Sequence, residues 1–121
     1  MTATYAAWAL IVLGALHVIF GLMRFRTPLR AALSEGLIGS FASDDSRRLA
    51  FWFILTGPFL LLVGQLGLRA ALAGDLGAIQ LIGFYLLGVS IMGGGLFPKS
   101  PLWSILQVGA ALIAAGLGWV A

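Results

Sequence analysis

Leu10-Ile11-Val12-Leu13-Gly14-Ala15-Leu16-His17-Val18-Ile19-Phe20-Gly21 is apolar throughout except for one imidazole, and His17 is the only histidine in the chain. Gly14, His17 and Gly21 fall at i, i+3 and i+7, which places them on one stripe of a helix. Two glycines beside the ring let a neighbouring helix or a ligand come close to it. A helix this apolar on every face has lipid rather than water as its solvent.

The composition points the same way. Of 121 residues, 61% are hydrophobic and 9% are charged, too few charges to cover a soluble surface, where about a quarter is usual. The chain has no cysteine, which excludes disulfides, thiolate metal sites and a cysteine nucleophile. Its net charge of +3 comes mainly from one loop and reads as a topology signal. No basic recognition element is present, so no nucleic-acid partner is expected. The opening residues Met1-Thr2-Ala3-Thr4-Tyr5 carry no Lys or Arg, and the arginines follow the apolar run. That order predicts a retained first helix rather than a cleaved signal peptide, with its N-terminus outside the cytoplasm.

A spanning helix takes roughly 20 apolar residues. Four segments meet this, at about 5–23, 48–68 (extending as far as Ala73), 76–96 and 101–120. A membrane β-barrel would show alternating segments of about 10 residues, whereas these runs are continuous and rich in Leu, Ala and Gly. The expected fold is therefore an all-α membrane protein, an antiparallel four-transmembrane-helix bundle forming a single domain over 1–121. Arg24, Arg26, Arg30, Arg47 and Arg48 cluster in and beside the first connection, and Lys99 lies in the third. Positive residues collect on the cytoplasmic side, so both termini are expected outside the cytoplasm, in a bacterial inner membrane. No internal repeat is evident, since Gly57-Pro58 has no counterpart in the fourth segment.

Thr27-Pro28 reads as an N-cap followed by proline at the first helical position. Leu29, Leu33, Leu37 and Phe41 then recur every four residues, which predicts a short amphipathic interfacial helix over about 28–41 in the first cytoplasmic loop. Ser43-Asp44-Asp45 supplies caps and negative charge for the second span. Gly57-Pro58 predicts a kink that shapes packing. Gly93-Gly94-Gly95 and the prolines of Phe97-Pro98-Lys99-Ser100-Pro101 predict a tight helical hairpin. Ala110, Ala114 and Gly118 read as a small-residue stripe on the fourth span that packs on a neighbouring helix, either of the same chain or of a second copy. Trp8, Trp52, Trp103 and Trp119 fall near helix ends, where interfacial anchors belong.

Counting depth at about 1.5 Å per residue from one membrane face brings a polar side chain from each span to a similar level. These are His17, Thr56, Ser90 and Gln107, a candidate ligand-binding layer. Gln65 and Gln80 form a second polar pair nearer the outside, with Tyr85 between the two levels. Polar groups in hydrocarbon tend to face the bundle interior. The plainest role for His17 is structural, as hydrogen-bonding glue between helices. The sharper reading is a pocket for a lipid, an isoprenoid or another hydrophobic molecule, since a neutral ring both donates and accepts. A proton relay or a metal role is the third. One histidine, no cysteine and no acid within the spans make a poor metal site, so no metal is expected. Haem held by two copies of His17, or by His17 with Met92, rests on one histidine alone, and no cofactor is expected.

Leu16-His17 with Phe20-Gly21-Leu22 and Phe25-Arg26, then Phe51-Trp52-Phe53 with Gly57-Pro58, resemble the small bacterial four-helix membrane proteins grouped as a family of unknown function. The resemblance covers most of the chain and implies an integral inner-membrane protein with no known activity. Small multidrug transporters are similar in length, but their first helix carries an essential glutamate, and no span here has an acid. The quinone-linked four-helix proteins of the thiol-redox type need cysteine pairs, which this chain lacks.

The expected function is non-catalytic: a small integral membrane protein that binds membrane lipid or another hydrophobic molecule, or an accessory subunit of a larger membrane complex or homo-oligomer. The alternative is a transporter or membrane enzyme acting on an apolar substrate, with His17 as the acid/base or hydrogen-bonding residue. Acid–base chemistry usually pairs groups, and no second carboxylate or histidine shares the layer with His17, so no catalytic residue is assigned.

Overall fold

Small residues on the inside and large ones on the outside organise the helices of this protein. In the computed structural model, which describes residues 1–99 and 102–120, the buried apolar residues are largely alanine, among them Ala7, Ala32, Ala50 and Ala70. Phe59, Leu66, Leu81 and Ile91 are each half exposed or more. A water-soluble domain of this size does not leave so much apolar surface open. In lipid the tails solvate those side chains, and close packing of small residues holds helices together instead.

The described residues form five α-helices and a short 3-10 turn: α1 (Thr2–Arg24), α2 (Arg26–Ser34), the turn Ser40–Ser43, α3 (Asp45–Ala73), α4 (Leu76–Leu96) and α5 (Leu102–Gly116). The fold is all-α. Helices α1, α3 and α4 are long and apolar enough to cross a membrane, while α5 is apolar but shorter, at 15 residues. The described part of the fourth segment thus ends at Gly116 rather than at 120, and its expected start, Pro101, lies with Ser100 outside the described residues. The end has a clear cause. Gly118 takes a left-handed φ of 76°, and the N–H groups of Gly118 and Trp119 turn back to donate to the carbonyls of Ala115 and Ala114. This is a glycine-closed helix end.

The same device ends α2 early. Gly36 has a φ of 95°, and the N–H of Leu37 donates to the carbonyl of Ala32 at 2.9 Å. The expected helix over 28–41 is therefore two pieces, α2 and the Ser40–Ser43 turn, and Leu37 and Phe41 lie beyond the helix that carries Leu29 and Leu33. Thr27 is not its cap. Helix α2 begins at Arg26, and the residue before it, Phe25, makes no side-chain cap bond. Pro28 still sits within the first turn, where a missing N–H goes unmissed. Helix α3 is longer than the 48–68 core of its segment and runs without interruption through Pro58. At its start, Asp44 accepts from the N–H and the hydroxyl of Ser46, each at 3.0 Å. Asp75 caps α4 by accepting from the N–H of Ala78 at 3.0 Å.

By its internal contacts the chain divides into two compact units, Met1–Ile11 with Leu62–Ala121, and Val12–Leu61. In the first, α4 and α5 pack backbone to backbone. A Cβ added at Gly83 would lie 2.8 Å from the nitrogen of Ile113, and one at Gly109 would lie 2.9 Å from the nitrogen of Leu87. Within the chain, α5 meets α4 through Gly109 and Gly116, with Leu112 buried between them; of Ala110, Ala114 and Gly118, Ala110 is exposed and Gly118 lies past the helix end, so that stripe is not the face turned to α4. Gly64 of α3 fits against the backbone of Ala7 and Ile11. The Trp103 indole donates to the carbonyl of Pro98 at 2.8 Å and lies over Gly94.

In the second unit, Gly14 of α1 meets Gly57 and Leu61 of α3. A Cβ at Gly14 would stand 2.8 Å from the Leu61 nitrogen and 2.9 Å from the Gly57 carbonyl. Gly21 is covered by Ile54 and Phe53. The Gly14–His17–Gly21 stripe of α1 is thus the face that α3 packs against.

Candidate functional site

Because Gly14 and Gly21 carry no side chain, α3 approaches α1 closely enough for Phe53 to lie flat on His17. The ring centroids are 4.0 Å apart and the planes 17° from parallel. Phe25 and Phe20 flank Phe53, at 5.2 Å and 5.9 Å between centroids. Within this aromatic wall the Nε2 of His17 is buried and has no hydrogen-bond partner among the described residues. An unpaired buried nitrogen is costly, on the order of 1–3 kcal/mol, and strained polar groups of this sort gather at functional sites. In the sequence Phe53 stands out only as part of the Phe51-Trp52-Phe53 run. Its contact with His17 follows from the glycine approach, which spacing along one helix does not reveal.

The other candidate residues stand differently. The Thr56 hydroxyl is exposed and donates to the carbonyl of Trp52 at 2.9 Å, and that of Ser90 is buried and donates to the carbonyl of Leu86 at 2.6 Å. Both are satisfied by their own helices. Gln107 is exposed and borders an open groove of about 350 Å³ with Thr2, Tyr5, Ala6, Val108 and Ala111. That groove uses the first two turns of α1, a different stretch from the turn that carries His17. Gln65 is exposed, Gln80 packs against Gly116, and no hydrogen bond joins the two among the described residues. Tyr85 is exposed. Among the described residues no group of three His, Cys, Asp or Glu is placed to hold a metal ion.

A second polar centre lies where α2, the 3-10 turn and α3 meet. Arg47 is buried, and its Nη1 donates to the Glu35 carboxylate, with the Ser40 carbonyl at 3.2 Å and the Ser43 hydroxyl at 3.0 Å also in reach. The Ser40 hydroxyl in turn donates to the carbonyls of Leu37 and Ala32. Arg48 pairs with Asp45 and donates to the carbonyl of Ala42 at 2.9 Å. The hydrogen bond from Arg47 holds the Glu35 carboxyl below its ordinary range, and the bonds from Ser46 do the same for Asp44. This tie is absent from any sequence motif, since Glu35 and Arg47 belong to different elements and meet only because Gly36 and Gly39, both at positive φ, fold the connection back.

Residues 1–118 match a protein family described as a family of unknown function, DUF6463. The chain belongs to that family. No curated protein and no solved structure matches it. Membership in DUF6463 accords with the expected kinship to a family of unknown function and brings no activity with it, so the chemistry of the site rests on the residues themselves.

Proposed function

We propose that this DUF6463 protein is a non-catalytic integral membrane protein that crosses the inner membrane four times and binds a hydrophobic molecule carrying one hydroxyl or carbonyl group at His17. The observation that carries this reading is the buried, unpartnered Nε2 of His17 beneath Phe53. A ligand hydroxyl or carbonyl reaching that nitrogen as Phe53 turns aside recovers the missing hydrogen bond, while the surrounding phenylalanines solvate an apolar body. No acid or second histidine stands beside the ring to share a proton, which favours binding over chemistry.

The four-span reading takes α5 as a short span. Its 15 residues cover about 22 Å against a hydrocarbon core of about 30 Å. Local thinning of the bilayer and the exposed Trp103 and Trp119 near its ends accommodate the difference. The arginines from Arg24 to Arg48 favour a first connection in the cytoplasm and both termini outside. Single cysteines introduced into this cysteine-free chain at Thr2, Ser34 and Val120 report the sides by impermeant labelling. Labelling of Ser34→Cys from outside in intact cells refutes the orientation. For the ligand, wild type and His17→Leu are purified in mild detergent and their organic extracts compared by mass spectrometry. The variant is expected to lose a molecule that accompanies wild type, and identical extracts refute the binding role.

A further inference from the structure

We infer that the arginine-rich end of this protein holds one anionic phospholipid, with an acyl chain in an apolar cleft and the phosphate against Arg26 and Arg30. The inference rests on the reading of the chain as a membrane protein and adds a site separate from His17. The cleft has a volume of about 200 Å³ and is lined by Leu22, Leu29, Phe41, Phe51, Ile54 and Leu55, with no polar surface. It takes a segment of one acyl chain. Four elements build it: the end of α1, α2, the 3-10 turn and the start of α3.

An apolar cleft in a bilayer does not choose among lipids, because every tail is as apolar as its walls. Selection comes from charges carried by the same helices that line it. Leu29 belongs to α2, where Arg26 lies one turn earlier and Arg30 directly follows, both exposed; Arg24 stands two residues after Leu22, also exposed. The acids of this end are already engaged: Glu35 by Arg47, Asp45 by Arg48, Asp44 by Ser46. Among the described residues, Arg24, Arg26 and Arg30 make no ion pair. Their charge is therefore open to an anion from outside the chain, and a phosphodiester whose tail occupies the adjacent cleft supplies one. A basic residue near an anionic membrane surface adds about fivefold to the association.

The test uses the full chain reconstituted into vesicles of equal phosphatidylcholine and phosphatidylglycerol, then re-solubilised in mild detergent. Native mass spectrometry counts the lipids retained per chain. Wild type is expected to keep one phosphatidylglycerol in strong preference to phosphatidylcholine. The double variant Arg26→Gln, Arg30→Gln, altered only at exposed positions, is expected to lose roughly 25-fold of that preference, the product of two fivefold terms. Leu55→Trp fills the cleft and is expected to lower retention with every charge intact. Inorganic phosphate at millimolar concentration is expected to leave the lipid bound. Equal retention of the two lipids by wild type overturns the inference, as does an unchanged preference in the double variant or full displacement by phosphate. Alkaline extraction of the same vesicles separates the two levels of failure. A chain that resists extraction yet shows no lipid preference sinks this site alone, whereas a chain stripped from the vesicles sinks the membrane reading with it.

Discussion

Removing the imidazole of His17 should make the protein more stable, the reverse of what deletion of a helix-bridging hydrogen bond would do. The buried Nε2 lacks a partner, which costs about 1–3 kcal/mol. The stack on Phe53 at 4.0 Å returns part of that, about 0.5–1.5 kcal/mol for an aromatic pair. His17→Leu gives up both terms, and their central values leave a gain of about 1 kcal/mol. His17→Phe keeps a ring on Phe53 and gains about 2 kcal/mol, less any strain from its larger volume, which the half-buried position relieves. Reversible unfolding by denaturing detergent in mixed micelles, on protein stripped of lipid, measures both differences against wild type. Adding back the wild-type organic extract should then stabilise wild type more than His17→Leu, which keeps the phospholipid site of the arginine-rich end and lacks only the His17 ligand, since a ligand that binds the folded state adds stability with the logarithm of its concentration over Kd. If both variants are less stable than wild type by more than about 1 kcal/mol, Nε2 is satisfied within the folded chain and the binding reading loses its basis.

Gly57→Ala should destabilise by about 1–3 kcal/mol, because its Cβ enters Val18 and lies 2.9 Å from the carbonyl of Gly14. Gly88→Ala, with nothing within 4 Å, should be neutral or stabilising by up to about 1 kcal/mol, and equal losses at the two sites in the same detergent assay would contradict the packing described. Glu35 has its carboxyl held down by Arg47, so the stability from that pair is complete above the ordinary carboxylate pKa of 4.5 and drains away as the pH falls through the lower folded value. Glu35→Gln should flatten the acid limb of a stability–pH curve, and a limb left unchanged refutes the tie. Leu37 holds a φ of 62°, a conformation that costs a side-chain-bearing residue about 1–3 kcal/mol. Leu37→Gly should therefore raise the melting temperature, and a drop would show the backbone there to be relaxed.

The long helices were legible because each is a continuous apolar run closed by strong punctuation. Gly74-Asp75 ends α3 and begins α4, and the expected 76–96 coincides with α4. The Gly14–His17–Gly21 stripe was legible because two glycines in an otherwise bulky helix stand out. In α5 that contrast disappears. Gly109, Ala110, Ala111, Ala114, Ala115 and Gly116 offer small residues on almost every face, so periodicity could not single out Gly109 and Gly116. In the first connection, the four-residue spacing of Leu29, Leu33, Leu37 and Phe41 outran the helix, and Gly36 was the available warning. The polar residues were located by depth along each span, but depth says nothing of direction. Thr56 and Gln107 turn to the exposed side, and Ser90 spends its hydroxyl on its own helix.

A chain with a single imidazole lying flat on a phenyl ring also carries its own spectroscopic reporter. Isotope-labelled histidine would give one set of ring resonances, displaced by the ring current of Phe53. Any occupant that swings the phenyl away would move that one signal, so guests could be screened in native-like lipid without attaching a dye, altering a residue or knowing in advance what the guest is.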